Sequence, residues 1–234
     1  MIHVTTLEQL GHFHNDWLDA HHHFSFASYM DPNRMGLGPL RVWNDDTIVA
    51  GGGFPPHGHN DMEIITYVRY GAITHEDNLG NRGRTKAGDV QIMSAGTGIQ
   101  HSEFNLENET TQIFQIWIMP DRAGHPPSWE TKTFPRGDRA GELVLLASGR
   151  AGDAGLGAPV IHQDAALFGA TLTEGQTVTH RFSEGRCAYL VPSRGVVTVN
   201  GVQATERAGV TIIDEVEIEI TARSEAEIVL ANLP

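Results

Sequence analysis

Gly51-Gly-Gly-Phe-Pro-Pro-His57-Gly-His59-Asn-Asp-Met62-Glu63-Ile-Ile-Thr-Tyr-Val-Arg-Tyr70 sets a glycine- and proline-rich turn beside a short run of β-branched and aromatic residues. Such a run is a strand bounded by turn residues. The pattern recurs outward from it, in Leu40–Trp43, Asp46–Ala50, Asp89–Met93 and Gln112–Met119. It continues in Glu142–Leu146, Cys187–Pro192, Val196–Val199, Val210–Asp214, Glu217–Thr221 and Glu227–Ala231. Asn200-Gly201 is a two-residue hairpin signal. Helical periodicity is scarce, and Thr5–Leu10, with Thr5 or Thr6 as cap, is the best helical turn. The reading is all-β, in sandwich or barrel form.

The 234 residues suffice for one large β domain or two smaller ones. Pro120, Pro126, Pro127 and Pro135 mark a linker or crossover between two strand-rich halves. Sixteen Lys and Arg against twenty-nine Asp and Glu give a net charge of −13, which repels nucleic-acid phosphates and anionic membranes. The single cysteine, Cys187, excludes an intrachain disulfide and reads as a buried small hydrophobe. There is neither a signal-peptide pattern nor an apolar run of membrane-spanning length. These features predict a cytoplasmic protein that binds neither nucleic acid nor membrane.

The thirteen histidines are the unusual feature. His57 and His59 lie at i and i+2, so an extended backbone points both imidazoles to one face. His101 and Glu103 repeat that spacing behind Gly96-Thr-Gly98. Each pair alone is weak; together they gather three imidazoles and a carboxylate, a set suited to a divalent transition metal. Glu63 shares the parity of His59, but along an unbroken strand it would stand about 13 Å away at ~3.3 Å per residue. Glu103 therefore reads as the ligand, and Glu63 as a partner of the ligands or a pocket wall.

These segments resemble the paired motifs of the cupin superfamily, and within it the pirin family, including bacterial pirin-like proteins described as quercetin 2,3-dioxygenases. The resemblance rests on Trp17-Leu-Asp-Ala-His-His-His-Phe-Ser-Phe26, Leu40-Arg-Val-Trp-Asn-Asp-Asp46, His57-Gly-His-Asn-Asp-Met-Glu-Ile-Ile-Thr-Tyr-Val68, Thr74-His-Glu-Asp-Asn-Leu-Gly-Asn81, Gln91-Ile-Met-Ser-Ala-Gly-Thr-Gly-Ile-Gln-His-Ser-Glu103 and Gln115-Ile-Trp-Ile-Met-Pro120. It is dense from about Trp17 to Phe134 and looser beyond, at Val160-Ile-His-Gln-Asp164. Relative to the general cupin pattern, Ser94 replaces a proline and two extra residues precede His101; both features are pirin-like.

The resemblance implies a bicupin of two antiparallel β-barrel (jelly-roll) domains: residues 1–135 with the metal site, and residues 136–234 without metal ligands. The family's iron ligands carry over onto His57, His59, His101 and Glu103. Fe(II) is the expected ion, and Mn, Co, Ni, Cu or Zn fits the same donors. The implied activity is metal-dependent cleavage of a flavonol C-ring by O2 with loss of carbon monoxide, with Glu103 or Glu63 as base. Phe26, Phe54, Met93 and Phe114 are candidate walls of a flat pocket. The family also implies a different class of role, an iron-binding regulator acting through protein partners, with quercetin turnover incidental. Another enolisable metabolite is a third substrate reading. A monomer is expected.

Other histidines read as structural. His21-His22-His23 splits across two faces by alternation and suits a packing or edge role. His162 and His180 are lone, without a His-x-His partner. Asn44-Asp45-Asp46 suits a tight turn better than a cation site.

Overall fold

In a computed structural model describing residues 1–134, 137 and 140–234, the strands run in chain order as follows. They are β1 (Ile2–Thr5), β2 (Gly11–His14), β3 (Leu18–His22), β4 (Leu40–Ile48), β5 (Gly53–His59), β6 (Glu63–Tyr70), β7 (Ala72–Asp77), β8 (Arg82–Lys86), β9 (Val90–Ser94), β10 (Ile99–Phe104), β11 (Thr111–Ile118) and β12 (Ser128–Lys132). Then follow β13 (Val144–Ser148), β14 (Ala166–Leu172), β15 (Thr177–Arg181), β16 (Cys187–Arg194), β17 (Val197–Val199), β18 (Val202–Ala204), β19 (Gly209–Ile212), β20 (Glu217–Ala222) and β21 (Ala226–Leu233). Among the described residues no helix is long and apolar enough to cross a membrane.

The strands divide into two compact units. One comprises Gly11–Phe134 and Pro159–Gln163, the other Met1–Leu10, Pro135–Ala158 and Asp164–Pro234. The boundary expected between residues 135 and 136 lies outside the described residues.

The first unit has a seven-stranded sheet in the order β12-β9-β6-β11-β4-β3-β2 and a four-stranded sheet in the order β5-β10-β7-β8. Leu18, Ala20, Ile48, Val68, Ile73 and Ile113 form one core cluster of this unit, drawing on strands of both sheets. The second unit has a six-stranded sheet, β1-β19-β16-β21-β14-β13, and a four-stranded one, β15-β20-β17-β18. Its core runs from Ala166 and Phe168 through Leu190 and Val199 to Ile228 and Leu230. Both units are jelly-roll-like, and the ladders among the described residues are antiparallel. The expected barrels do not close, because no backbone ladder joins the larger sheet of either unit to the smaller one among the described residues.

Three local expectations change. Asn44-Asp45-Asp46 is no turn: it lies inside β4, paired with β3 and β11. Burial within the sheet overrides the local turn preference of these residues. The helical turn is a single 3-10 turn at Leu7–Gln9, where the Gln9 side chain accepts from Thr6 N–H at 2.9 Å. Cys187 is only half-buried, at the start of β16.

Candidate metal centre

The site grows from the pairing of β5 with β10. His101 pairs with His57 and Glu103 with Phe54, so two steps along β10 match three along β5. The extra residue falls in Pro55-Pro56. Proline has no N–H to give a ladder, and β5 is an edge strand, where both the prolines and the bulge are tolerated. The bulge brings Phe54 to the same cleft as His57 and His59. Gly53 keeps β5 close to β10, since a Cβ there would meet the Glu103 carbonyl oxygen at 2.4 Å. Gly96 (φ +47°) turns the chain into β10, and a Cβ there would meet the His125 carbonyl oxygen at 2.0 Å.

Each of His57, His59 and His101 offers one nitrogen, and the three nitrogens lie within 4.8 Å of one another. Their protonation follows from their partners. His57 Nδ1 is 2.8 Å from the Pro55 carbonyl oxygen, which can only accept. Nδ1 therefore carries the proton and Nε2 a lone pair. His75 Nε2 is 3.0 Å from Asp77 Oδ2, so it donates to the carboxylate, and His75 Nδ1 accepts from His101 Nδ1–H across 3.3 Å. His101 is left with its Nε2 lone pair 3.1 Å from that of His57. Two lone pairs so placed repel unless a cation lies between them. The separation is also what two nitrogens at roughly 2.1 Å from one ion adopt in adjacent positions. Burial lowers His101 to about 3, assisted by His57, His75 and His59, and lowers His59 to about 4, assisted by His57. Both are neutral imidazoles at pH 7, in the metal-binding form. The donor set fits a divalent transition ion.

Glu103 is buried next to His101 on the inward face of β10. It is not among the atoms of the 4.8 Å group. Gln91 and Thr66 donate to its Oε1, and Gln115 to its Oε2 at 2.9 Å. The amides are themselves oriented: Trp117 Nε1–H donates to Gln115 Oε1, and Thr85 Oγ–H to Gln91 Oε1. Burial pushes the Glu103 carboxyl up to about 7 against these hydrogen bonds.

Glu63 is placed differently. β5 ends at His59, the chain turns through Asp61 (φ +46°), and β6 opens at Glu63, so the unbroken strand assumed in the distance argument does not exist. Its Oε2 accepts from Ser94 at 2.7 Å, and its Oε1 is 3.3 Å from His162 Nδ1. His162, expected as an isolated structural histidine, lies against His125, with ring centroids 3.9 Å apart and the planes tilted by 31°.

His57 and His59 open onto a cleft of about 310 Å³ between the sheets of this unit. β3 supplies Leu18, Ala20 and His22, β4 Asn44 and Asp46, and β11 Gln115 and Trp117. Phe26 and Phe54 complete apolar walls, with Phe26 edge-on to Trp117 at 5.5 Å and Trp117 against His59 at 4.9 Å. Met93 does not line the cleft; it packs with Ile64, Ala95 and Ile99. Phe114 does not line it either; strand alternation turns it from the face carrying Gln115 and Trp117 and sets it against Trp43 and Tyr67.

Sequence reasoning missed His75, Gln115, Trp117 and Asp46. Asp46 is buried in the cleft wall, its Oδ1 has no hydrogen-bond partner, and burial, with the charges of Asp45 and Glu103, raises its carboxyl well above the ordinary range.

Residues 3–118 match the Pirin family, and residues 145–233 match the family described as quercetinase C-terminal cupin domain. The chain is 59% identical to a pirin-like protein of Caulobacter vibrioides over 99% of both chains. It is 43% identical to the quercetin 2,3-dioxygenase of Escherichia coli, over 100% of this chain and 99% of the other. The crystal structure of the bacterial pirin YhhW from Escherichia coli in complex with nickel(II) superposes with a TM-score of 0.93 at 42% identity, covering 100% of this chain and 99% of that one.

Proposed function

The chain belongs to the pirin family, and from the site it carries we propose a metal-dependent dioxygenase that opens the C-ring of a flavonol such as quercetin with release of carbon monoxide. The observation that carries this reading is the convergence of the His57 and His101 lone pairs at 3.1 Å, beside His59, at the floor of an apolar cleft. A flat aromatic substrate suits walls built from Phe26, Phe54 and Trp117.

In this reading His57, His59, His101 and Glu103 hold the ion, with Fe(II) as the working metal. The ion supplies Lewis-acid stabilisation of the deprotonated 3-hydroxyl and the electronic means for O2 to react with it. The chain's own residues do the rest. Glu103, oriented by Gln91, Thr66 and Gln115, takes the 3-hydroxyl proton. Glu63, held by Ser94 and His162, is the alternative base. Trp117 holds Gln115, and Gln115 holds Glu103, so the cleft wall and the base share one orientation. The apolar walls exclude bulk water from the anionic substrate. Asp46, whose carboxyl burial raises well above the ordinary range, faces the substrate from the cleft wall.

The test is carbon monoxide release from quercetin in air by protein stripped of metal and reloaded with Fe(II), against His101→Ala treated alike. Metal-dependent release absent from the variant is expected. No release above free Fe(II), with the ion bound stoichiometrically, would overturn the reading and favour a regulatory role or another substrate.

A further inference from the structure

The antiparallel pairing of β2 with β3 sets His12 opposite His21 and His14 opposite Asp19. Strand alternation puts all four side chains on one face, opposite to the face where Leu18, Ala20 and His22 line the cleft. Asp19 is the hub. Its Oδ1 lies 3.3 Å from His12 Nε2 and 3.5 Å from His21 Nδ1, and its Oδ2 lies 3.4 Å from His14 Nδ1. The ligand atoms of His12, Asp19 and His21 all fall within 4.8 Å of one another. The rings of His12 and His21 stack at 4.5 Å with an interplanar angle of 22°.

We propose that His12, Asp19 and His21, with His14 at the rim, form a second, solvent-facing site for a borderline divalent transition ion of the Zn(II), Ni(II) or Cu(II) class. Imidazole and carboxylate donors suit these ions, and hard cations such as Mg(II) would be bound poorly by a set dominated by nitrogen. The site is independent of the His57, His59 and His101 group and of the activity proposed for it. Three of its members lie on the edge hairpin of the seven-stranded sheet with much of their surface open to water, so the ion keeps water on its remaining positions.

The experiment uses full-length protein without a polyhistidine tag, in equilibrium dialysis against Zn(II), with metal and protein counted together. Wild type is expected to take up two ions per chain, His12→Ala/His21→Ala one, His57→Ala/His101→Ala one, and the fourfold variant none. Thermal unfolding gives a second readout: Zn(II) should raise the Tm of His57→Ala/His101→Ala and leave that of the fourfold variant unmoved. His12 is exposed and His21 is 16% exposed, so circular dichroism of His12→Ala/His21→Ala verifies that the fold is kept. Equal uptake by wild type and His12→Ala/His21→Ala, or no Zn(II)-dependent Tm shift in His57→Ala/His101→Ala, would overturn the proposal.

Discussion

His75 Nδ1 stands 3.3 Å from His101 Nδ1, while the other nitrogen of His75 is 3.0 Å from Asp77 Oδ2. The chain Asp77–His75–His101 therefore fixes which nitrogen of His101 faces the ion, from a strand that itself contributes no ligand. Outer partners of this kind typically contribute 10- to 100-fold in metal affinity. His75→Phe keeps a ring stacked on Trp129, now 4.8 Å away and within 9° of parallel, and removes only the nitrogens. The expected result is an affinity loss of about 10- to 100-fold by competition with a chromophoric chelator, at unchanged circular dichroism. Unchanged affinity would mean that His101 orients itself.

Glu103 gives a stability signature in metal-free protein. Its carboxyl is raised to about 7, so the folded state favours the protonated form. The resulting stabilisation is fully present below the unfolded value near 4.5 and is lost as pH rises through 7. The loss is about 3 kcal/mol for a shift of this size. In EDTA, the stability difference between wild type and Glu103→Gln should change in favour of the variant between pH 5 and pH 8. A flat difference would place the proton elsewhere.

What the sequence made legible is what alternation and short spacing encode. His57-x-His59 and the inward side of His101 and Glu103 follow from period two, and the strands follow from Ile, Val and aromatic runs between Gly and Pro. What it hid depends on pairing between distant strands. His75 reaches the site only because β7 lies beside β10, and His12 meets His21 only because β2 folds back on β3. β1 pairs with β19, some two hundred residues away, which no local pattern announces. Asp45 and Asp46 look like a turn because their burial in β4 is a tertiary feature. Departures from local preference of this sort cluster at polar sites.

Glu63 is predicted to be dispensable for the ion. Its partners are Ser94 and His162. Glu63→Gln should retain metal at wild-type stoichiometry and lose about 1–3 kcal/mol of stability, the cost of disturbing a buried hydrogen-bonded group. Metal quantification with urea unfolding checks both halves. Loss of the ion would transfer the carboxylate ligand from Glu103 to Glu63.

In the second unit His180 is buried between Phe168 and Phe182, with centroid distances of 5.0 and 4.9 Å. Arg186 donates to Asn232 Oδ1, so the Asn232 amide N–H faces His180 Nε2 at 2.7 Å and requires it to accept. Burial, with Arg150 and Arg186, lowers its pKa to about 4. The neutral form contributes stability above the unfolded value near 6.5, and this is lost as pH falls towards 4. Wild type should lose about 3 kcal/mol more than His180→Gln between pH 7 and pH 4. Equal acid sensitivity would mean that His180 is not the acid-labile point of this unit.

Asp46 separates function from stability by sign. Its Oδ1 is buried without a partner, Asp45 and Glu103 add unfavourable charge nearby, and its side chain lines the cleft beside Gln115. A group with those properties costs folding free energy, about 1–3 kcal/mol for a buried unsatisfied polar atom. Valine fits a strand centre flanked by Ala20 and Ile113 and carries no polar atom. Asp46→Val should therefore raise the urea midpoint. If the neutral acid donates to a bound flavonol oxygen, the same variant should lower kcat/KM for quercetin by roughly tenfold, the worth of one hydrogen bond to a buried polar group. Asp46→Asn, which keeps an uncharged donor, should recover part of the activity without the gain in midpoint. A stability loss in Asp46→Val would mean that the carboxyl is held by the fold, and an activity unchanged in both variants would remove Asp46 from substrate binding.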